Sequence, residues 1–498
     1  MLSFNNTDIN DTNMTALISI KNFTPSKRVS RHLPIICLVA LSSISPLRAQ
    51  LLIANTTVVD VENKKLLPSR DVWIQNGIIT AVGQKIKIPA GTQVLDGTGK
   101  YLIPGFVDTH VHFFQSGGVD TRPDVVDLRK FKPYAEEIAW THQNMENILR
   151  RYARAGITTV VDPGSTINFL LQRDTFRLKD YAPTVYMTGP LQVTIKFPAY
   201  EGLANDEPFY FMNTEGNARN NVRRELPYKP DFIKIAYVVP GRNKDSVARS
   251  YLPLVKAAID ESHKAGLRVA VHAFERLTAQ LAVEAGADHL VHIPFDEPIG
   301  PEFIQLLKDK KVEVSSSITV FEGYRKTFGQ YYRPTPYDSL YAHPTPIQSI
   351  MHFKDHPDTA LTERLRRTTL RAAHIGKRHD SLLLVNLKRL VDAGVTVATA
   401  TDAGNIGSPH VSSYFRELSS MRGGGLDMWQ LLQSSTINGA RTVGKEKEFG
   451  SIAKGKRADL VLLSQNPIDN LDNWRLVDWV ILRGVARKPG DLLKPASD

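Results

Sequence analysis

A chain of 498 residues exceeds one ordinary domain and suits one large unit with a smaller companion. Hydrophobic residues at 42% and charged residues at 23% allow a sizeable core and exclude disorder for most of the length. The net charge of +11 is spread without long basic blocks and no nucleic-acid-binding motif accompanies it, so the surface is mildly cationic and no nucleic-acid partner is expected.

Near the start, Lys21, Lys27, Arg28 and Arg31 precede the apolar segment 33–41, and small residues lead to Leu47-Arg48-Ala49-Gln50. A basic region, an apolar region and a small-residue site are the layout of a secretory signal peptide, expected over residues 1–49 and implying export to the periplasm or beyond. The apolar run is shorter than the roughly 20 residues of a membrane span, so no stable span is expected after cleavage; an uncleaved anchor is the competing reading. Translation can start at Met1 or Met14. Cys37 is the only cysteine and lies in this segment, so past residue 49 the chain has no disulfide, thiolate ligand or cysteine nucleophile.

From Leu51 to Gly97, β-rich pieces such as LLIANTTVVDVENKKLL and DVWIQNGIITAVG, the latter with an Asn-Gly turn, predict antiparallel strands. Similar pieces, GSIAKGKRADLVLLS and WVILRGVAR, return at the far end. The two ends are expected to pair into one small β-sandwich domain, residues 50–102 with 443–498, around a central domain at 103–442.

The centre alternates β-runs with helical stretches. The runs are PGFVDTHVHF (104–113), ITTVVDPG (157–164), PTVYMTGP (183–190), DFIKIAYVV (231–239), LRVAVHA (267–273), ADHLVHIP (287–294), VEVSSSITV (312–320) and VTVATATDAG (395–404). An irregular, aromatic-rich insert follows the third run to about Asn213, and a long polar region spans 321–378. Continuous Val/Ile-rich runs mark strands buried on both faces. Eight of them alternating with helices predict an α/β fold, a (β/α)8 TIM barrel with its chemistry at the C-terminal strand ends.

The polar residues fall at or near those ends. In an extended chain His110 and His112 point the same way, so two imidazoles can grip one cation; they can equally just pack and hydrogen-bond. Lys234, His272, His292 and Asp402 each sit on a separate run. Singly, they read as an ion-paired lysine, two satisfied histidines and a helix cap; jointly they form a donor set suited to zinc or a similar divalent ion.

With these residues in view, the chain resembles the amidohydrolase superfamily. PGFVDTHVHF resembles its first-strand signature, FIKI its fourth-strand lysine, VAVHA and HLVHI its fifth- and sixth-strand histidines, and TATDAG its eighth-strand aspartate. NGARTVG followed by GSIAKGKRADLVLL is similar to the family's return to the small domain. Lys234 with His272 and His292 looks most like the imidazolonepropionase-related branch that includes Xaa-Pro dipeptidases. That resemblance implies two divalent metal ions, with zinc expected. His110, His112 and Asp402 would hold one, His272 and His292 the other, and Lys234, carboxylated by CO2, would bridge them. It also implies attack by a metal-bridging hydroxide, with the catalytic Asp402 passing the proton to the leaving nitrogen.

His410, in the loop GNIGSPH, and Tyr237, just past Lys234, are the candidate substrate contacts; each can equally be a surface or core residue. The region 321–378 is expected to form a lid. The expected activity is hydrolysis of a dipeptide or N-acyl amino acid amide bond. The alternatives are a cyclic amide or imidazolone, a small amide or ester xenobiotic, or a non-catalytic barrel scaffold. A small-molecule partner is expected, and a homo-oligomer is compatible with the sequence.

Overall fold

The computed structural model describes residues 50–493, apart from Arg242. The expected signal segment, with Cys37, lies outside the described residues. Among the described residues no helix is long and apolar enough to cross a membrane.

Early and late parts of the described chain meet in one eight-stranded sheet. Its order is Val485–Arg487, Val477–Leu482, Leu460–Leu463, Tyr101–Pro104, Leu51–Asp60, Lys65–Gln75 and Ile78–Gly83, with Gln93–Asp96 also on Leu51–Asp60. The early and late segments join where Leu460–Leu463 runs antiparallel to Tyr101–Pro104, Val461 opposite Ile103. Two pairings depart from the antiparallel expectation, since Leu51–Asp60 runs parallel to both Gln93–Asp96 and Tyr101–Pro104.

Strand alternation gives this sheet two buried faces. Leu460 and Leu462 join Leu51, Ile53 and Ile74 in a core of the sheet's own, whereas Val461 and Leu463 pack into the large central core. Ile79 and Ile481, from opposite ends of the strand order, share that first core, so the sheet curls. Gly77 and Gly484 allow the curl: both have positive φ, and a Cβ on Gly484 would lie 2.9 Å from the Gly77 Cα.

The central region is built on parallel strands. Seven run in the order Phe209–Phe211, Leu191–Val193, Ile233–Ala236, Val269–His272, His289–Leu290, Glu313–Ser315 and Val397–Ala398. A second sheet has three, Phe106–Asp108, Ile157–Asp162 and Thr184–Met187. Backbone hydrogen bonds link the two at both seams, from Thr109 N to Thr399 O (3.0 Å) and from Asp231 N to Met187 O (2.9 Å). Each predicted run contains one of these strands. The insert after the third run departs from expectation, because it supplies two further parallel strands, Leu191–Val193 and Phe209–Phe211.

Burial explains the strand character: Ile157–Asp162 and Ile233–Ala236 are buried along their whole length. Helices Tyr134–Arg154 and Lys244–Lys264 end where Gly156 and Gly266 take positive φ, the conformation that stops a helix and returns the chain to the next strand. The polar region 321–378 is largely helical, and its first helix, Val320–Phe328, borders the cavity described next.

Candidate metal centre

The C-terminal ends of the parallel strands surround a cavity of about 560 Å³, and its lining includes His110, His112, Lys234, His272, His292 and Asp402. Ligand atoms of His110, His292 and Asp402 all lie within 4.8 Å of one another. The His272 and His292 rings stand 4.6 Å apart, centroid to centroid. Six side chains from remote parts of the sequence therefore share one chamber.

The two first-strand histidines are oriented by carbonyls behind them. His112 Nδ1 donates to Gly164 O (2.6 Å), and His110 Nδ1 lies 3.3 Å from Val291 O. With the proton on Nδ1 in each ring, both Nε2 lone pairs turn inward. They face one another at 3.1 Å, and Asp402 Oδ1 lies 3.3 Å from one and 3.2 Å from the other. Two lone pairs and a carboxylate oxygen converging at such range repel unless a positive charge sits among them.

The titration tendencies carry the same message. Burial pulls His110 and His272 well below the usual imidazole range and His292 to about 3. For His112, burial is outweighed by hydrogen bonds to Asp162 and Asp402 and their charges, which push it up to about 9. Asp402, although burial opposes it, is held well below the carboxylate range by His110 and His112. The His112 and Asp402 shifts are one demand: in the protein alone a proton on His112 supplies the positive charge beside Asp402, in the place a divalent cation would take.

Lys234 is 1% exposed, and burial brings its ammonium to about 7 against the pull of Asp402 and Asp162. Among the described residues it makes no ion pair or hydrogen bond, an uncommon state for a buried lysine. His292 Nδ1 is likewise buried without a partner. These orphaned donors and acceptors, with the facing Nε2 atoms, fit a divalent-cation site of the expected kind.

Backbone geometry fixes the aspartate. Asp402 has φ +53°, a left-handed conformation that Asp tolerates better than most residues, and its N–H donates to His110 O (2.7 Å). Asp108 locks the same junction by accepting from Thr401 Oγ1 (2.8 Å) and N (3.2 Å).

The two candidate substrate contacts lie in different surroundings. His410 is 5% exposed and absent from the cavity lining; Tyr152 Oη donates to its Nδ1 (3.0 Å) and its Nε2 donates to Gln115 O (2.9 Å). Stacked on Phe113, it has both ring nitrogens partnered within the core. Tyr237 borders the cavity, and its hydroxyl donates to Ala248 O in a neighbouring helix. Asp162, missed in the sequence, lies 3.6 Å from His112 Nδ1 and accepts from Phe113 N and Gly164 N, holding the loop that aims His112. An aspartate ending an otherwise apolar run, ITTVVD, is the signal that could have found it.

Comparison with known proteins bears on this arrangement. The profile of the amidohydrolase family matches residues 101–486. The chain belongs to the amidohydrolase family. Its curated relatives match over short stretches: human dihydropyrimidinase-related protein 5 is 48% identical over 56 residues, 11% of this chain and 10% of the relative. The chain thus spans about a tenth of that relative's length. Among solved structures, a Xaa-Pro dipeptidase with bound methionine aligns at TM-score 0.66 with 20% identity, covering 88% of this chain and 100% of the other. Phenylurea hydrolase B aligns at 0.65 with 20% identity over 89% and 98%. These likenesses show the shared amidohydrolase fold.

Proposed function

We propose that this amidohydrolase-family chain is a metal-dependent hydrolase of amide bonds, acting on a dipeptide or N-acyl amino acid. The observation that carries the reading is the convergence of His110 Nε2, His112 Nε2 and Asp402 Oδ1 within 3.1 to 3.3 Å, an arrangement that calls for a cation. In this reading eight of the parallel strands close a (β/α)8 barrel over 103–442, residues 50–102 and 443–498 form the companion β-sandwich, and residues 1–49 direct export.

His110, His112 and Asp402 would hold one divalent cation and His272 with His292 a second, both zinc, with Lys234 between them. The amine of Lys234, brought to about 7 by burial, is available in the neutral form that adds to CO2, losing one proton and becoming a carbamate anion with two oxygens. When bound, the cations supply Lewis acidity to a carbonyl oxygen and acidify water. Asp402 accepts the proton of the attacking water and returns it to the departing nitrogen. Nothing in this scheme requires an acylated side chain.

The cavity wall also favours a second reading, hydrolysis of a small apolar amide or ester. Phe114, Phe197, Phe209, Phe274 and Phe321 line it. The charges outside the ligand set are compensated, Lys244 by Glu275 and Arg122 by Asp124. A chamber of this kind selects an apolar arm by desolvation. The likeness to phenylurea hydrolase B supports that alternative, and the likeness to a Xaa-Pro dipeptidase supports the first.

The experiment is a panel of dipeptides, N-acyl amino acids, cyclic amides and aryl amides given to protein loaded with zinc, manganese or cobalt, with bound metal measured alongside. Turnover of dipeptides or N-acyl amino acids with stoichiometric metal supports the proposal. Protein that binds no metal and turns over nothing would make the chain a scaffold and end it.

A further inference from the structure

We infer that Asn405 is a positioning residue for Asp402, held in place by Arg122 and Tyr324 at the cavity wall. The inference rests on the reading of Asp402 as metal ligand and proton carrier. Asn405 is 3% exposed, and its Nδ2 donates to Asp402 Oδ1 (2.8 Å) and to the Asp402 carbonyl (3.1 Å). Oδ1 is the very oxygen that faces both first-strand imidazoles.

The amide has only one chemically sensible orientation. Its Oδ1 receives Arg122 Nη1 (2.5 Å) and Tyr324 Oη (2.7 Å), and a guanidinium can only donate. Reversing the amide would set N–H against the guanidinium and C=O against the carboxylate. Arg122 is fixed in turn by a two-pronged pair with Asp124, Nε to Oδ1 (2.8 Å) and Nη2 to Oδ2 (2.7 Å), and Asp124 accepts from Tyr200 Oη (2.6 Å). Two chain segments that border the cavity thus end on one amide, the loop carrying Arg122 and helix Val320–Phe328, and the insert carrying Tyr200 supports the first through Asp124.

Such a brace matters because Asp402 sits in a left-handed backbone conformation outside any helix or strand, while its Oδ1 faces both imidazoles. Arg122 and Tyr324 line the cavity, so they are also the groups through which an occupant would act on Asp402. The brace is a geometric device and does not depend on how Asp402 titrates.

The test uses the full chain and the isosteric variant Asn405→Asp, which keeps acceptors for Arg122 and Tyr324 but loses the N–H offered to Asp402. Three quantities are read: zinc affinity by competition with a chromophoric chelator, the visible absorption of the cobalt-substituted protein, and kcat against KM on the best panel substrate. The expected result is a loss of 10- to 100-fold, order of magnitude, in zinc affinity or kcat, with altered cobalt bands and KM little changed. Zinc affinity, cobalt spectrum and kcat all within about twofold of the parent would overturn the inference while leaving the proposed function intact. A parent protein that binds no metal overturns both. Should Asn405→Asp fail to fold, Tyr324→Phe decides: a loss of about fivefold in kcat with zinc retained supports the brace, and unchanged kcat and cobalt bands refute it.

Discussion

Two regions of this protein bury carboxylates among polar groups, with opposite outcomes. Glu417, on helix Ser412–Gly423, is fully enclosed, and both its oxygens are satisfied: Oε1 accepts from Ile318 N (2.8 Å), and Oε2 from Thr319 N and Thr319 Oγ1 (2.9 Å each). Around Asp402 the neighbours are two inward-turned imidazole nitrogens and an unpaired lysine. The first network closes on itself and holds the chain after strand Glu313–Ser315. The second is incomplete as protein alone, and buried polar groups left incomplete are where function concentrates.

The contrast can be broken in several ways. The largest effect is expected from His110→Ala, which should reduce activity to background and lower bound metal. Normal turnover would refute the ligand assignment. Lys234→Ala should be nearly as inactive, and short carboxylic acids added with zinc should restore part of the rate by standing in for the missing carbamate.

Glu417→Ala should behave in the opposite sense. It strands two buried backbone N–H groups, each worth about 1 to 3 kcal/mol, so thermal unfolding should move down by several degrees at unchanged metal content. An unchanged melting temperature would mean that the network contributes nothing.

The smallest effect concerns pH. Burial raises Glu225 to about 8, although donors from Gln192, Gly189 and Thr188 oppose the shift. Gln192 Oε1 is a buried atom without a partner, and turning that amide over gives a protonated Glu225 an acceptor. With a folded pKa above the ordinary 4.5, the folded protein holds the proton that the unfolded chain releases, so stability declines as pH rises from about 4.5 to 8. Glu225→Gln should flatten that decline in denaturant titrations across the interval. An equally steep decline in the variant would assign the effect elsewhere.

The strands were legible because burial on both faces leaves a local mark: runs such as VVDP and FIKIAYVV need no distant partner to be recognised. His110 and His112 were legible as a pair for the same local reason, the two-residue repeat of an extended chain. Asn405 and Arg122 were not, since 283 positions separate two groups joined by one hydrogen bond and neither sits in a patterned run. For His410 the sequence shows only a loop histidine near a conspicuous motif, and packing alone shows that Tyr152 and Gln115 partner both its nitrogens. The strands Leu191–Val193 and Phe209–Phe211 escaped notice because each is three residues long, too short for a period to show.

The sheet that splices Leu460–Leu463 onto Tyr101–Pro104 sets a timetable for biosynthesis. Leu51, Ile53 and Leu102 emerge from the ribosome several hundred residues before Leu460 and Leu462, the partners that complete their core. During that interval the nascent chain carries an unfinished apolar edge, the kind of surface that chaperones engage and that aggregates when left alone. Removal of the chain from Leu460 onward should therefore harm yield before it harms chemistry.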